Sequence, residues 1–303
     1  MKIFFILFFL KFSYEADFIK IIPQKNFEII VAKGNIDLND GKTYIKGDSA
    51  LIFKSYDVDS GLIYGNVNIK GEEIEINCER AKYNFLKEEA EFFDKVSVNT
   101  EDKIVISDYI KYFVKTSFSI AKGEIFIEDK KEGLKVYCKE ANYNFKSKRG
   151  NLKNIERIEI LSEDKKITLY GNEMEITPDT LYLKKDVKIE SEKEKGEGDT
   201  LIYIQKEEIA YIKGNPIFYF EKGNGKGNEI EIRFKDKKVE SGKIRGNSQI
   251  EILTEKEEKV IINTSIIESF FDEEGKIKIL KGFEKIDGIL FLNKIKNEGN
   301  IKD

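Results

Sequence analysis

Histidine is absent from this 303-residue sequence, so the side chain most often used as a general base near neutral pH is missing. The same absence removes the Ser-His-Asp arrangement and the commonest zinc ligand. The reactive groups that remain are two cysteines, Cys78 and Cys138, and 56 aspartates and glutamates. Two thiols could form a disulfide, and a pair of carboxylates could hydrolyse a glycosidic bond.

Neither kind of group forms a recognisable catalytic arrangement. The carboxylates fall mainly at turns and at the polar positions of alternating strands, where a solvated surface explains them. The glycine-rich stretch Gly223–Gly227 lacks the Gly-Lys-Ser/Thr ending of a phosphate-binding loop, and we interpret it as a hairpin turn between two strands. We therefore predict a protein that is not an enzyme, with no catalytic residue, no metal site and no cofactor.

The two cysteines occupy equivalent places in near-copies of one phrase, EINCERAKYNF at 75–85 and KVYCKEANYNF at 135–145. Equivalent positions two repeats apart should be separated by at least two strand spacings, or about 10 Å. The Cα atoms of a disulfide lie within about 7 Å, so the spacing favours two free thiols in the core. A disulfide would require a fold in which Cys78 and Cys138 meet.

The phrase that holds the cysteines recurs along most of the chain. Its core is a polar residue, a spacer, a small or aliphatic residue, another spacer, and an aromatic or aliphatic residue. A second phrase, a turn followed by a short alternating strand, runs between the copies. The period is about thirty residues, as in repeat proteins whose units bury their apolar faces against one another. Copies of the first phrase are Asp48–Ile52, Glu79–Tyr83, Asp108–Tyr112, Lys139–Tyr143, Asn172–Ile176, Asp199–Tyr203 and Asn228–Ile232. Copies of the second are Gly34–Leu38, Gly65–Ile69, Gly123–Ile127, Asp186–Ile189, Gly214–Phe218 and Gly246–Ile250.

Apolar and polar residues alternate with period two over most of the sequence, which predicts strands. The alternation shifts by one residue near Glu79–Arg80 and again between Val136 and Ala141. Because such a shift turns side chains to the other face unless the backbone bends, we predict a corner within each long strand. The predicted fold is all-β, a repetitive antiparallel folded sheet (β-jellyroll or β-taco) with a repeat of about 30 residues. Only Tyr14–Ile21 has a pattern that would suit a helix.

Four segments are predicted along the chain. Residues 1–16 form a signal peptide, because a lysine precedes an apolar run that is shorter than the roughly twenty residues of a membrane span. Cleavage is expected after Ala16, and an uncleaved inner-membrane tether is the alternative. Residues 27–170 and 171–295 are two stretches of repeats that continue the same sheet, and 296–303 form a polar tail. The net charge of −4 argues against a nucleic-acid partner.

The alternation of strands such as Gly65-Asn66-Val67-Asn68-Ile69 with strands such as Glu79-Arg80-Ala81-Lys82-Tyr83, behind a signal peptide, resembles the OstA-like family. This family includes the lipopolysaccharide-transport proteins LptA and LptC and the amino-terminal part of LptD. The resemblance covers roughly residues 27–295, and its specificity comes from the number and order of degenerate repeats. It implies a folded antiparallel sheet in the periplasm, with no reaction to catalyse.

The resemblance also implies a function: an apolar groove carries lipopolysaccharide, or a similar acylated envelope lipid, as a bridge towards the outer membrane. The implied partners are the lipid and other OstA-like proteins, which pair head to tail through edge strands, with a homo-oligomer as a further form. Carried over position by position, the groove residues are Val67, Ile69, Ile74, Ile76, Ala81, Tyr83, Val96, Val98, Ile104, Ile106, Ile110, Tyr112, Ile125, Ile127, Val136, Ala141 and Tyr143.

Two other functions fit the composition. In the first, the same apolar residues fill a solid core and the protein is an inert β-repeat scaffold. In the second, the chain is a parallel β-helix that binds or cleaves polysaccharide. Coils of a β-helix are usually shorter than about thirty residues, and hairpin turns inside the unit favour antiparallel pairing instead.

Overall fold

The computed structural model describes residues 13–39, 41, 43–55, 59–161, 166–192, 194–235, 238–253, 258–271 and 277–291. Within these ranges the chain is nearly all β-strand, and its strands pair antiparallel, as predicted. The polar tail at 296–303 and most of the predicted signal peptide lie outside the described residues. The described residues divide into two compact units, the first reaching residue 168 and including 172–178, and the second containing 169–171 and the residues from 179 onwards.

The first unit is built mainly from long strands that pair with their neighbours in chain order. Its strands are β1 (Ser13–Glu15), β2 (Phe18–Pro23), β3 (Phe27–Asn39), β4 (Tyr44–Ser55), β5 (Asp59–Lys70), β6 (Glu75–Asn84), β7 (Glu89–Asn99), β8 (Lys103–Phe113), β9 (Phe118–Asp129), β10 (Leu134–Asn144), β11 (Arg149–Lys153), β12 (Arg157–Leu161) and β14 (Glu173–Ile176). β13 (Lys166–Tyr170) contains residues of both units.

The second unit contains long strands and several short ones, with a single 3-10 turn at Gln205–Glu207 among its described residues. Its strands are β15 (Thr180–Glu190), β16 (Lys195–Ile204), β17 (Ile209–Lys213), β18 (Ile217–Phe220), β19 (Gly223–Lys226), β20 (Glu229–Lys235), β21 (Lys238–Leu253), β22 (Lys259–Phe271), β23 (Ile277–Phe283) and β24 (Asp287–Phe291). Gly223–Lys226 is therefore a strand paired with β18 and β21, and the hairpin turn predicted there lies at 221–222 instead.

Each long strand of the first unit changes register with its neighbour near its middle. The predicted corner near Glu79–Arg80 is confirmed, because the pairing of β6 with β7 shifts between Asn77 and Arg80. The second predicted corner is confirmed by a shift between Cys138 and Glu140, where β10 pairs with β9. A bulge repeated at the same height in successive strands bends the whole sheet along one line.

The two sequence phrases are the two sides of this corner. Gly65 and Asn66 both have positive φ, +74° and +46°, and the Asn66 amide donates a hydrogen bond of 3.1 Å to Asp48 Oδ2. The preceding pair of strands repeats the arrangement with a 3.0 Å hydrogen bond from Asn35 to Asp17. Glycine adopts positive φ without steric cost and asparagine tolerates it, which explains why Gly-Asn recurs in the second phrase.

The corner divides each long strand into two arms, which we call arm A and arm B. Arm A contains residues 36–39, 44–47, 67–70, 75–78, 96–99, 103–107, 125–129, 134–138 and, in the short strand β12, 157–161. Arm B contains residues 27–33, 49–55, 60–64, 80–84, 89–93, 109–113, 118–122, 140–144 and, in the short strands β11 and β14, 149–153 and 173–176.

The helix suggested at Tyr14–Ile21 is wrong. Phe18–Pro23 is a strand that pairs with β3 from Phe18 opposite Lys33 to Pro23 opposite Glu28. The apolar residues of this segment do not alternate strictly with polar ones, so the segment taken alone would also suit a helix. Pairing with a long neighbouring strand satisfies the backbone hydrogen bonds of the segment and overrides its weak local preference.

A matched pair of glycine substitutions tests the corner. Gly65→Ala should destabilise the protein by about 1–3 kcal/mol more than Gly41→Ala. Both glycines have positive φ, but a Cβ atom at Gly65 would lie 2.2 Å from Asp48 Oδ2, whereas a Cβ at Gly41 has no neighbour within 4 Å. Urea unfolding followed by circular dichroism gives the two free energies. Equal losses would show that the contact between Asp48 and Gly65 does not hold the corner.

Candidate functional site

An aliphatic ladder runs across the inner face of arm A. Each member is the register partner of the next, so all nine side chains point to the same side of the sheet. The nine strands make a row of about 38 Å at 4.8 Å per strand. The ladder is Leu38, Ile45, Ile69, Ile76, Val98, Val105, Ile127, Val136 and Ile158.

Beside the corner, the inner face pairs a β-branched residue with a small one on the neighbouring strand. The pairs are Ile36 with Gly47, Val67 with Cys78, Val96 with Ser107 and Ile125 with Cys138. The small slot is tight, since a Cβ atom at Gly47 would lie 2.5 Å from Ile63 Cγ2. The position thus accepts glycine, serine or cysteine, and the two cysteines are there for their size.

Both cysteines are free and buried, as the spacing predicts. The strands that hold them, β6 and β10, are four spacings apart, or about 19 Å. Burial raises the pKa of the Cys78 thiol to about 11 and that of Cys138 to about 12. The Cys78 thiol also donates a hydrogen bond of 3.3 Å to the Arg80 carbonyl. A protonated, buried thiol is a poor nucleophile, so these residues contribute packing.

Arm B presents two apolar rows on its inner face. The row nearer the corner is Ala32, Ala50, Ile63, Ala81, Phe92, Ile110, Ala121, Ala141, Leu152 and Met174. The row nearer the free edge, which we call the lip row, is Ile30, Ile52, Gly61, Tyr83, Ala90, Tyr112, Ser119, Tyr143, Gly150 and Ile176.

Tyrosine alternates with a small residue along the lip row. The ring of Tyr143 lies over Gly150, where an added Cβ would come within 2.7 Å of Tyr143 Cδ2. Tyr83 and Tyr143 make edge-to-face contacts with Phe85 and Phe145, at centroid distances of 4.7 and 5.0 Å. Burial is the main cause that raises the pKa of each of the tyrosines at 83, 112 and 143.

The two arms of the first unit face each other across the corner. A narrow cleft of about 30 Å³ lies between them at the strands β3 to β7. A cleft of this size holds one water molecule and no acyl chain. Arm A contributes Leu38, Ile45 and Ile69 to its walls, and arm B contributes Ala50, Ile52, Gly61, Ile63, Ala81, Tyr83, Ala90 and Phe92.

The second unit has the same construction. A cluster of buried isoleucines joins residues from both sides of its corner. The cluster is Ile212, Ile230, Ile244, Ile250 and Ile267. The small slot beside the corner recurs here, since a Cβ atom at Gly198 would lie 2.6 Å from Ile212 Cγ2, and one at Gly227 would lie 2.5 Å from Ile244 Cγ2.

The structure brings fourteen of the seventeen predicted groove residues to the inner face. Ile69, Ile76, Val98, Ile127 and Val136 lie in the aliphatic ladder, and Val67, Val96 and Ile125 lie beside the corner. Ala81, Ile110 and Ala141 belong to the inner row of arm B, and Tyr83, Tyr112 and Tyr143 belong to the lip row. Their role in lipid binding stays a prediction.

The other three lie elsewhere. Ile74 is in the turn that precedes β6. Ile104 and Ile106 are on the outer face, and Ile106 is 43% exposed. The run Ile104-Val105-Ile106 offers an apolar residue to both faces, so alternation alone does not decide its side. Pairing decides it, because Val105 is opposite Val98 in the inner ladder.

Sequence reasoning also missed inner-face residues, of which Leu38, Ile45 and Phe92 are the clearest. Leu38 lies in the phrase Gly34–Leu38, which the sequence analysis recognised. Groove residues were assigned only from Val67 onwards, and the same assignment applied to Gly34–Leu38 would have found Leu38. Phe92 follows Ala90 with period two, but Phe93 is also apolar, so the alternation does not show which of the two rings points inward. Only the register with Ala81 identifies Phe92 as the inward ring.

The described residues contain no cluster of three or more Cys, Asp or Glu side chains placed to hold a metal ion. In the same part of the chain, no helix combines the length and apolar character needed to cross a membrane.

The fold and its inner face define a class: a folded antiparallel β-repeat protein in which, within the first unit, the apolar faces of two arms are turned towards each other. The sequence matches the family model of the OstA-like proteins over residues 42–200, more than half of the chain. The chain therefore belongs to the OstA-like protein family, and its β-structure is of the lipopolysaccharide-transport type.

One similar solved structure is LptH from Pseudomonas aeruginosa, described as the LptA-homologous periplasmic component of the conserved lipopolysaccharide transport device. It is 13% identical, the match covers 34% of this chain and 76% of that one, and the TM-score is 0.31. No curated protein matches the sequence.

The buried thiols make alkaline stability a test of the inner face. Each thiol has a pKa in the folded state that burial raises above its ordinary value of 9.0, so the unfolded chain releases its proton first. Thiol burial therefore contributes stability below pH 9 that is lost between pH 9 and about pH 11.

The double variant Cys78→Ala, Cys138→Ala should lose less of its unfolding free energy than the wild type over that range. Urea unfolding at pH 8, 9, 10 and 10.5 gives the comparison, and tyrosine ionisation, common to both proteins, cancels in the difference. Parallel pH profiles would show that the thiols are exposed to water in the folded protein.

Proposed function

We propose that this protein binds the acyl chains of lipopolysaccharide, or of a similar acylated envelope lipid, in a trough between the two arms and carries the lipid towards the outer membrane without catalysing a reaction. The observation that supports this most is the continuous aliphatic ladder on arm A, which faces a second apolar surface on arm B. The length of the ladder, about 38 Å, is more than twice that of an extended twelve-carbon chain.

The energetics need no catalytic group. Exposing an acyl chain to water costs about 0.8 kcal/mol per methylene, or roughly 10 kcal/mol for twelve carbons. A trough that covers the chain along its path removes most of that cost. The protein then supplies a low-energy route, and no nucleophile, general base or metal ion is required.

Lipid entry requires the arms to separate, because the cleft of the first unit holds about one water molecule. The contacts between the arms are mostly those of apolar side chains, and an acyl chain offers the same kind of contact. Exchange of one for the other leaves the buried apolar area nearly unchanged. The corner residues serve as the hinge in this view, since they hold the strands together while the edges part.

The two rival functions make different demands. A β-helix would pair its strands in parallel, whereas the described strands pair antiparallel, which disfavours it. An inert scaffold requires the same buried residues and is separated from a carrier only by lipid binding.

We place the protein in the periplasm, exported by the signal in residues 1–16.

The proposed protein partners are other OstA-like chains, joined head to tail. In the first unit, β2 pairs with β3, so that Ile19 continues the row of Ala32 and Ile21 continues the lip row at Ile30. These residues are 41% and 59% exposed. In the second unit, Ile286 and Ile289 are also exposed beside β24. Edge strands with exposed apolar side chains favour pairing with another sheet.

Lipid binding is tested with two variants, one that places a charge on the inner face of the sheet and one that places it on the outer face. Val98→Glu places a carboxylate in the half-buried part of the aliphatic ladder and should weaken binding of dodecanoate at least about tenfold, because an acyl chain cannot solvate the charge. Ile106→Glu, on the outer face, should change the affinity less than about twofold. Titration calorimetry measures both affinities, and circular dichroism verifies that both variants are folded.

If Val98→Glu does not fold, Val98→Thr is the milder variant, since it adds a hydroxyl at nearly equal volume. A folded wild-type protein that binds no dodecanoate would establish the inert scaffold. Equal effects of the two glutamates would show that the inner face is not the binding surface.

The head-to-tail contact is tested on the exposed edge. Ile21→Lys should lower self-association measured by analytical ultracentrifugation, because a charged residue on an edge strand discourages pairing. Its effect on unfolding free energy should stay within about 0.5 kcal/mol, as for other exposed positions. Ile106→Lys is the control, with an exposed isoleucine on a sheet face. Unchanged association in Ile21→Lys would exclude this edge from the contact.

A further inference from the structure

In the first unit, the turns at the outer ends of the two arms carry opposite charge. We call the row of turns that ends arm B the arm B edge, and the row that ends arm A the arm A edge. Three successive turns that end arm B, at 85–88, 114–117 and 145–148, contain four lysines and one glutamate. Three successive turns that end arm A, at 71–74, 100–102 and 130–133, contain five carboxylates and two lysines. The whole chain has a net charge of −4, so the basic edge is a local feature.

The basic turns form a regular row. The Val114 amide donates a hydrogen bond of 3.0 Å to the Glu88 carbonyl, and the Phe145 amide donates one of 2.8 Å to Ser117. The turns therefore stack side by side and continue the spacing of the strands. Lys87, Lys115 and Lys146 are exposed and recur every second strand, about 10 Å apart. Two acids lie beside this row and both are ion-paired: Glu88 is 3.5 Å from the Lys115 ammonium, and Glu89 is 2.8 Å from the Lys111 ammonium.

The tyrosines of the lip row lie directly inside these lysines. Tyr83, Tyr112 and Tyr143 precede them in the chain by three or four residues, at the ends of β6, β8 and β10. Tyrosine has an apolar ring and a polar hydroxyl, a combination suited to the boundary between an acyl region and water. From the corner outwards, arm B thus changes from aliphatic side chains to phenols and then to ammonium groups.

We propose that the arm B edge of the first unit binds the anionic, phosphate-bearing headgroup of the acylated lipid whose chains occupy the trough. This inference rests on the proposed function and adds the headgroup to it. The lysines supply the positive charge, the phenol hydroxyls donate hydrogen bonds at the boundary, and the carboxylates at the arm A edge repel the headgroup. The lipid is thereby held in one orientation across the trough.

The test compares two probes that share a twelve-carbon tail, both used below their micelle-forming concentrations. Dodecyl phosphate carries an anionic headgroup, and dodecyl maltoside a neutral one. The triple variant Lys87→Gln, Lys115→Gln, Lys146→Gln should weaken dodecyl phosphate binding about tenfold and change dodecyl maltoside binding less than about twofold. The wild-type preference for dodecyl phosphate should shrink as the salt concentration rises.

A second triple variant controls for net charge. Lys122→Gln, Lys130→Gln, Lys131→Gln removes the same three charges from the outer face of β9 and from an arm A turn. It should leave both affinities within about twofold of the wild type. All of these lysines are exposed, so both variants should fold. Inorganic phosphate in large excess should not displace dodecyl phosphate, since the acyl tail supplies most of the affinity.

The outcomes separate the headgroup inference from the proposed function. Suppose that the wild type binds both probes and that the arm B variant lowers both affinities equally or leaves both unchanged. The headgroup inference is then overturned, whereas the proposal that acyl chains bind between the arms stands. Equal loss of dodecyl phosphate in the two triple variants would also overturn it, because net charge alone would explain the effect. If the wild type binds neither probe, both proposals fall.

Discussion

The corner within each strand is the constraint on which the rest of the structure depends. A period-two strand buries one face only, and a flat sheet of such strands would leave that face exposed to water. Two consecutive residues with positive φ, such as Gly65 and Asn66 in β5 or Asp94 and Lys95 in β7, bend alternate strands at the same height, and the neighbouring strands follow through their register shifts. The bend turns the apolar face of one arm towards that of the other. Burial in the first unit is therefore achieved by folding its sheet upon itself.

Side-chain size on the inner face varies with distance from the corner. Next to the bend the arms are closest, and the inner face alternates β-branched residues with glycine, serine or cysteine. Farther out, the aliphatic ladder of arm A has room for leucine, isoleucine or valine on every strand. At the lip, tyrosines lean over glycine, alanine or serine on the neighbouring strands. The same rows therefore recur from strand to strand across the first unit.

Sequence reasoning was reliable where one face of a strand is polar. The phase shift at Glu79–Arg80 located the corner, because Glu and Lys mark the outer face on both sides of it. It could not place Ile104 and Ile106, since Val105 lies between them and no polar residue marks a face. The strand at Phe18–Pro23 depends on pairing with β3, which is a tertiary contact. The narrowness of the trough and the charge difference between its edges require the three-dimensional arrangement of both arms.

The central claim is that an acyl chain lies between the two arms. The most direct measurement is methyl NMR of the isoleucine-labelled protein with a fatty acid that carries a nitroxide on its tail. The account predicts strong broadening of the inner-face methyl signals, such as those of Ile69 and Ile76, and little change for Ile106 on the outer face. Broadening that is equal on the two faces, or absent from the inner one, would contradict it.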